Sequence, residues 1–525
     1  MTSSADPQTV TGAHAARQAA ATRTLIRGSS LLTVGRMIAI VLNFFVQIIT
    51  VRCLMKADYG AFEYGLSIAS MGSSIAVFGL GRALNRFAPM FHEQREFGRL
   101  AGTIVLALGC VSGIGIGVVL LVIAAQGFIG STIVQDPRSL SLLIILILLA
   151  PLRALDSIFE ELFAALAKPK ALFFRRHLLG PLLKLLALAT LIFSGSDARM
   201  LSIAFVAGGV IGTCCSAALL WYLLKQAGLL SHFSRQSIQI PARQMLGFSF
   251  ALLSADLLVI VRSSWVTLIL EFCHGAVGVA AFRAVLPIAG LNTFVADSFR
   301  MLFSPAISRM YARGDMSSID RVYWRTTSWI AVATFPLFLC CISLADFVTV
   351  TLFGSEYADS SEILRLLATG FYVSSVTGFN NDVLKAHGHI GRMFLTDIFT
   401  VTVAVILNLW LVPQWGAFGG ALATVAVLLI RPIGNQVTIF RLGLLREVDW
   451  RCLRLLLVML AITVVAWLLP PLMGNSVSAQ FATTMGGIVL TLIAGLPLIE
   501  IQSTFPELMR WRPVRRFFEP KGANA

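Results

Sequence analysis

Long runs of apolar residues recur along the whole chain and are separated by short polar links. Each run holds about 20 apolar residues, the length a helix needs to cross the hydrocarbon core of a bilayer. This pattern predicts an all-α polytopic membrane protein with about 14 transmembrane helices. The predicted spans are 29–52, 59–87, 99–126, 139–166, 176–194, 200–224, 245–271, 275–304, 326–350, 362–385, 393–412, 417–440, 452–472 and 482–502.

The composition supports the same class. Of the 525 residues, 57% are hydrophobic and 13% are charged, and the mean hydropathy is +0.83. A soluble protein of this length needs far more polar surface, because its cores cannot hide so much apolar area.

The basic residues predict which side of the membrane each loop faces. An even number of spans places both termini on one side. Lys and Arg concentrate in the terminal tails and the even-numbered loops, whereas the odd-numbered loops hold only Arg52, Lys56, Arg138 and Arg199. The positive-inside rule therefore predicts that both termini are cytoplasmic. The net charge of +15 then reflects topology and contact with membrane lipids, and it does not indicate nucleic-acid binding.

The links between spans are too short to hold a catalytic domain. The sequence contains neither G-x-x-x-x-G-K-[ST] nor H-E-x-x-H, the motifs of P-loop ATPases and of one class of zinc enzyme. His387 and His389 flank a glycine in a predicted internal loop and are expected to be interfacial, not metal ligands. We therefore predict a transporter with no catalytic residues, no metal and no cofactor.

A weak internal repeat appears at a shift of about 218 residues. The shift brings together Gly60 with Gly278, Gly72 with Gly290, and Arg82 with Arg300. Six spans per copy give both copies the same orientation, so the repeat predicts two lobes related by a pseudo-twofold axis along the membrane normal. The predicted divisions are a disordered cytoplasmic tail (1–26), an N-terminal six-helix lobe (27–227), a C-terminal six-helix lobe (243–441), two additional helices (451–503) and a basic cytoplasmic tail (504–525).

Two stretches carry a family resemblance. "NLWLVPQWGAFGGALATVA" (408–426) is a helix end, a proline turn and a glycine- and alanine-rich helix start. "VRCLMKADYGAFEYGLSIAS" (51–70) joins a short link to a Tyr-Gly-aromatic helix entry. With the span count and the repeat, both resemble the polysaccharide transporter branch of the multidrug/oligosaccharidyl-lipid/polysaccharide (MOP) exporter superfamily, the oligosaccharide-lipid flippases.

This resemblance implies two lobes around a central cavity that opens alternately to either side of the bacterial inner membrane. It implies that the cargo is an undecaprenyl-pyrophosphate-linked sugar repeat unit used for exopolysaccharide, O-antigen or capsule synthesis. A polysaccharide polymerase or export machinery is the partner expected from that role. The alternatives are a multidrug/cation antiporter of the same superfamily and a membrane enzyme of polysaccharide assembly.

Several arginines fall inside the predicted spans, where a charge is costly and marks a candidate functional residue. Arg36, Arg262 and Arg283 lie on the first spans of the two halves or on the span that follows, and are candidates for lining a cationic cavity. Guanidinium groups match phosphate oxygens in a bidentate way, which suits a pyrophosphate cargo. The alternative is that these arginines form interhelical ion pairs that hold the bundles together.

The stretch "VFGLGRALNRF" (77–87) adds Arg82, which the repeat aligns with Arg300 near the internal end of the corresponding span. This alignment predicts a symmetry-related pair at the cytoplasmic mouth, and snorkelling to the headgroups is the simpler alternative. Asp256 and Asp397 are candidates for coupling to protons or sodium. Asp256 and Arg262 lie about 240° apart around one helix, so each needs a partner elsewhere or must face water.

Overall fold

The computed structural model describes residues 34–134, 136–195, 197–230, 238–445, 449–472 and 476–498. These residues are helical with short connections, and no strand occurs among them. The predicted all-α fold is confirmed. The predicted tails 1–26 and 504–525 lie outside the described residues.

The main helices are numbered in chain order. They are α1 Val34–Cys53, α2 Lys56–Val77, α3 Leu80–Glu93, α4 Phe97–Ala124, α5 Pro137–Leu146, α6 Leu149–Ala165, α7 Gly180–Ser194, α8 Ala198–Gln226, α9 Ala242–Ala289, α10 Leu291–Ala312, α11 Met316–Ser343, α12 Ala345–Phe353, α13 Ser360–Thr377, α14 Asn380–Ala386, α15 Ile390–Arg441, α16 Trp450–Leu472 and α17 Val477–Leu498. Shorter helical segments are Gln126–Phe128, Ile129–Ile133, Pro169–Phe173, Phe174–Leu179 and Ser355–Tyr357.

Among the described residues, nine helical stretches are long and apolar enough to cross a membrane, or ten if the bent pair α2 and α3 forms one span. The two longest helices, α9 and α15, each run from one predicted span into the next. α15 covers both 393–412 and 417–440, whereas α9 covers 245–271 and the first half of 275–304, which continues in α10 after a break at Gly290. Both contain a non-helical glycine at the predicted division: Gly275 (φ 64°, ψ −165°) and Gly416 (φ 54°, ψ −133°). Glycine adopts such positive φ values without the steric cost that other residues meet. The number of 14 spans stays a prediction.

Aspartates begin several helices because their carboxylates satisfy backbone N–H groups that have no partner within the helix. Asp136 accepts from the Arg138 backbone N–H at 2.9 Å at the start of α5, where Pro137 occupies the first helical position. Asp197 accepts from the Arg199 backbone N–H at 2.8 Å at the start of α8. These caps fix helix starts in links where the apolar pattern alone leaves the boundary open.

The chain forms two compact units. The first contains residues 1–267 and 275–277, and the second contains residues 268–274 and 278–525. The chain therefore passes from one unit to the other within α9, whereas the repeat places the start of the C-terminal lobe at residue 243. The first half of α9 packs with the first unit, and this packing supplies the candidate site described below.

The core of the first unit is built from aromatic and aliphatic side chains of α3, α4 and α6. Phe87 stacks on Phe91 at a ring-centroid distance of 6.0 Å and meets Phe248 of α9 edge-on at 5.8 Å. Leu84 and Phe163 are completely buried in the same cluster. This packing fixes α3 against the first half of α9.

The core of the second unit joins α10, α11, α14 and α15. Phe303 meets Phe379 edge-on at 4.7 Å in its centre. The C-terminal helices α16 and α17 belong to this unit and pack on α11, where a β-carbon on Gly487 would lie 2.8 Å from the Leu339 side chain. Small residues at such contacts let helices approach closely, as is common in membranes.

Contacts inside each unit agree with the predicted alternation of loops. Each of these contacts joins two loops that the sequence assigns to the same side of the membrane. They are Asp58 with Arg138 (3.2 Å), the backbone bond from Gln239 to Gly98 (3.1 Å), His274 with the Val412 carbonyl (2.8 Å), and the rings of Tyr311 and His387 (4.4 Å). The assignment of one side to the cytoplasm stays a prediction based on the distribution of basic residues.

Candidate functional site

The predicted second span, 59–87, is broken in the structure. α2 ends at Val77 and α3 begins at Leu80, with a bend of 40° between them. Both linking residues are left-handed, Phe78 at φ 48° and Gly79 at φ 69°. A β-carbon on Gly79 would lie 2.8 Å from the Ser249 carbonyl oxygen, so the backbone of α9 leaves no room for a side chain there. The break therefore requires glycine both for its conformation and for its close contact with α9.

Arg82 lies one turn beyond this break and forms an ion pair with Asp256 of α9. Ser249 and Asp256 are seven residues apart and so lie on one face of α9. The same helix face thus contacts the break and supplies the carboxylate. The Arg82 side chain is 48% exposed and the Asp256 side chain 26% exposed, so the pair remains accessible. The structure brings together a residue predicted to bind cargo and one predicted to couple ions.

The rest of this face of α3 is also polar. The Arg86 guanidinium lies 4.8 Å from the Phe248 ring centroid and 5.5 Å from that of Phe87, which is cation–π geometry. Within the described parts of the chain, Arg86 forms no ion pair. Asn85 donates to the Glu161 carboxylate of α6. Together these side chains form the Arg82 cluster: Arg82, Asn85, Arg86, Glu161, Phe248 and Asp256.

Arg300, the counterpart of Arg82 in the repeat, lies in a different environment in the second unit. Its guanidinium donates to Asp297 at 2.7 Å and to Asp382 at 3.2 Å, and it lies 5.4 Å from the centre of the Phe379 ring. The Asp382 side chain is only 4% exposed. A β-carbon on Gly378 would lie 3.0 Å from Arg300 Nη2, so the guanidinium rests against the break between α13 and α14.

Asp397, the second coupling candidate, pairs with Arg431 inside α15. Arg431 Nε donates to Asp397 Oδ1 at 2.5 Å and Nη2 donates to Oδ2 at 3.2 Å. This bidentate geometry joins the two halves of the helix hairpin that bends at Gly416. It favours the interhelical ion pair, which was one of the alternatives for the intraspan charges.

The three remaining candidate arginines are distributed over both units. Arg36 is half-buried in α1, and Arg262 is exposed in the part of α9 that belongs to the first unit. Arg283 is half-buried in the part of α9 that belongs to the second unit. A role in lining a cavity stays a prediction for all three.

Arg175, Asp156 and Ser216 form a buried polar hub in the first unit that the sequence did not predict, because Arg175 lies at the edge of the predicted loop 167–175. The guanidinium pairs with Asp156, and its Nε donates to Ser216 Oγ at 2.7 Å. The side chains of Arg175 and Asp156 are only 10% and 15% exposed. Asp156 indicates such a hub in the sequence, because a carboxylate inside a span needs a partner on another helix.

Arg153, Asp156 and Glu160 follow one another at i, i+3 and i+7 and so form a polar stripe on one face of α6, a pattern that favours interhelical ion pairs and hydrogen bonds. Arg153 donates to Ser70 of α2 at 2.5 Å, and Arg176 lies 3.8 Å from Glu160. These bonds support the interpretation of the stripe as interhelical ion pairs and hydrogen bonds. Within the described residues, no group of three or more His, Cys, Asp and Glu side chains has a metal-binding arrangement.

The sequence of residues 25–310, more than half of the chain, matches the model of the polysaccharide biosynthesis protein family. The chain belongs to this family. It is also similar to a probable low-salt glycan biosynthesis flippase, Agl15 of Haloferax volcanii, with 22% identity over 146 residues. That match covers 28% of this chain and 31% of the relative, so less than a third of the relative's length is represented.

Solved structures show the same fold at low sequence identity. The lipid II flippase MurJ in an inward closed conformation has a TM-score of 0.66 at 14% identity, covering 91% of this chain and all of that one. An inward-facing multidrug resistance MATE transporter of the MOP superfamily has a TM-score of 0.60 at 14% identity, covering 78% of this chain and 95% of that one. These structures confirm the fold that the sequence resemblance implied, the family match agrees with the polysaccharide branch of that resemblance, and the protein is a multi-pass membrane protein.

Proposed function

We propose that this protein is a flippase that moves undecaprenyl-pyrophosphate-linked oligosaccharide repeat units across the bacterial inner membrane by alternating access. The product would serve exopolysaccharide, O-antigen or capsule synthesis, with a polymerase or export machinery as the downstream partner. The observation that carries the proposal is membership of the polysaccharide biosynthesis family. The names of Agl15 and MurJ, both flippases, support the same class of cargo.

The chemistry of the intraspan arginines supports an anionic cargo. A guanidinium can bind two phosphate oxygens at once, and it stays charged at any physiological pH. The Arg82 cluster offers two guanidinium groups on one face of α3, and both Arg82 and Arg86 are exposed. We propose that Arg82 contacts the pyrophosphate, with Arg36, Arg262, Arg283 and Arg300 as further candidates.

A cation antiporter fits these residues less well, although the fold is shared with a multidrug transporter. A cationic cargo needs carboxylates that are available to bind it. In the structure, Asp156, Asp256, Asp382 and Asp397 are each paired with an arginine. A bound guanidinium neutralises each carboxylate and competes with any cationic cargo.

The membrane potential favours export of an anion. An inside-negative potential is worth about 2.3 kcal/mol per charge per 100 mV, so two uncompensated phosphate charges would contribute about twice that. Coupling to protons or sodium through Asp256 or Asp397 is the alternative source of energy. Both carboxylates carry an arginine partner, which favours the potential as the driving force.

The proposal is tested by deleting the gene and measuring lipid-linked oligosaccharide on each face of the inner membrane. We expect accumulation on the cytoplasmic face and loss of surface polysaccharide, both restored by the wild-type gene. Arg82→Gln should restore neither. Asp346→Asn, which removes from the first turn of α12 one carboxylate partner of Arg365, should restore both. Unchanged polysaccharide together with new drug sensitivity in the deletion strain would refute the proposal and favour the antiporter.

A further inference from the structure

The Arg82–Asp256 pair differs from a buried structural ion pair in its exposure. Nearly half of the Arg82 side chain remains accessible (48%), although Asp256 already occupies the guanidinium. By contrast, the Arg175–Asp156 pair of the same unit is almost completely enclosed, with 10% and 15% exposure. A phosphate group can therefore approach Arg82 directly, and it would meet Asp256 as its competitor.

The contact between α3 and α9 determines the position of the Asp256 carboxylate, which competes with a phosphate for Arg82. The backbone contact between Gly79 and Ser249 holds the break against α9, and Asp256 follows Ser249 by two helical turns. A second carboxylate beside α3, that of Glu161, accepts from Asn85. Arg86 is held by the rings of Phe87 and Phe248 and carries no ion pair among the described residues. Asp256 is thus the carboxylate that pairs with Arg82, whereas Glu161 is bound by the neutral amide of Asn85.

We propose that Asp256 is a tethered counter-anion of Arg82: it occupies the guanidinium when no cargo is bound, and a phosphate of the cargo displaces it. The inference rests on the proposed function for the identity of the cargo. It assigns Asp256 a positioning role in place of ion coupling. After displacement the carboxylate stays within reach of the guanidinium, so it also promotes release of the phosphate. A flippase needs such a balance, because cargo that binds too tightly on one side cannot leave on the other.

The test measures binding of inorganic pyrophosphate to the purified full-length protein in phosphatidylcholine nanodiscs. Asp256→Asn should bind pyrophosphate about threefold to fivefold more tightly than wild type, the factor that corresponds to the free energy of an exposed ion pair. Asp256→Glu keeps the carboxylate and should stay near the wild-type affinity. Asp256→Ser provides a second neutral side chain if the Asn variant does not fold.

Two further variants connect the effect to Arg82. Arg82→Gln should weaken pyrophosphate binding, and adding Asp256→Asn to it should then give no gain, because the carboxylate acts only through that guanidinium. The matched control is Asp346→Asn, which removes a carboxylate from a different arginine pair and should leave the affinity unchanged. An unchanged affinity in both neutral Asp256 variants, or an equal gain in the control, would overturn the inference.

The source of the phosphate is tested by the lipid of the nanodisc. If the gain of Asp256→Asn persists when phosphatidylglycerol is added, the site prefers pyrophosphate to lipid headgroups, as we expect. If phosphatidylglycerol abolishes the gain, a membrane lipid occupies Arg82 and the assignment to cargo is overturned. Binding and export remain separable: tighter pyrophosphate binding by Asp256→Asn in a protein whose deletion leaves polysaccharide intact would contradict the proposed function but not the exchange at Arg82.

Discussion

Arg82 and Arg300 occupy equivalent positions in the internal repeat, yet the structure surrounds them differently. Arg82 has one carboxylate partner and is 48% exposed, whereas Arg300 lies between two carboxylates and against an aromatic ring at 36% exposure. The Asp382 partner of Arg300 is buried, and the Asp256 partner of Arg82 is not. Sequence equivalence in a repeat therefore does not imply equivalent roles. We interpret Arg82 as the arginine more accessible to a ligand and Arg300 as the one held more firmly within its unit.

The largest expected loss of stability comes from Arg300→Gln. This change leaves the buried Asp382 carboxylate without its guanidinium, which should cost about 3 kcal/mol of unfolding free energy. Arg82→Gln should cost about 1 kcal/mol or less, because that pair is exposed. Steric trapping of the protein in detergent micelles measures both values. The double variant Arg300→Gln with Asp382→Asn should recover most of the loss, and equal losses for the two arginines would contradict the distinction between them.

The second largest expected loss of stability concerns the polar hub of the first unit. Arg175→Gln should cost about 2 to 3 kcal/mol, because it leaves Asp156 unpaired in a largely enclosed site. Arg431→Gln is the matched change in the second unit, where the Asp397 pair is 28% and 30% exposed, and it should cost about 1 kcal/mol. A larger loss for Arg431→Gln, measured in the same way, would mean that exposure does not govern the stability of these pairs.

The helix breaks provide a third comparison. Gly79→Ala should cost about 1 to 2 kcal/mol, because alanine must adopt a positive φ and its β-carbon would meet the Ser249 carbonyl. Gly290, at the break between α9 and α10, has an ordinary φ of −78°, and its nearest neighbour to a β-carbon is 3.4 Å away. Gly290→Ala should therefore change the thermal midpoint little. Equal effects of the two substitutions would show that the conformation at Gly79 is not needed.

The smallest expected effect on stability concerns an aspartate that caps the start of a helix, a feature found in both units. Asp197 caps α8 in the first unit, and Asp315 caps α11 in the second by accepting from the Ser318 backbone N–H at 3.1 Å. Hydrogen bonds from Ser318 and Ser317 lower the pKa of Asp315 below its usual value. Because the folded-state pKa is depressed, the stabilisation is present at pH values above the unfolded pKa and is lost as the pH falls through the folded pKa. Asp315→Asn should keep much of the cap and remove this pH dependence, as thermal unfolding between pH 3 and pH 7 would show, whereas an unchanged pH profile would contradict it.

The candidate site could be predicted in part. An intraspan arginine at position 82 and an intraspan aspartate at 256 are visible in the sequence, and so is the fact that Asp256 cannot pair with Arg262 on the same helix. The sequence did not show that they are partners, since they are 174 residues apart. It also treated residues 59–87 as one span, because the apolar pattern continues through the break at Phe78 and Gly79.

What the sequence by itself determined is the all-α, multi-pass membrane class of the protein. This class follows from a local constraint, because the thickness of the hydrocarbon core sets the length of each apolar helix. The divisions of α9 and α15 at Gly275 and Gly416, where a positive φ suits glycine, became visible only in the structure. Only the tertiary structure decided which charges pair, where the second span breaks and where the units divide. Those features depend on how each helix is rotated and packed against residues far away in the chain. The pattern of hydrophobic residues along one helix does not identify the helix that packs against it.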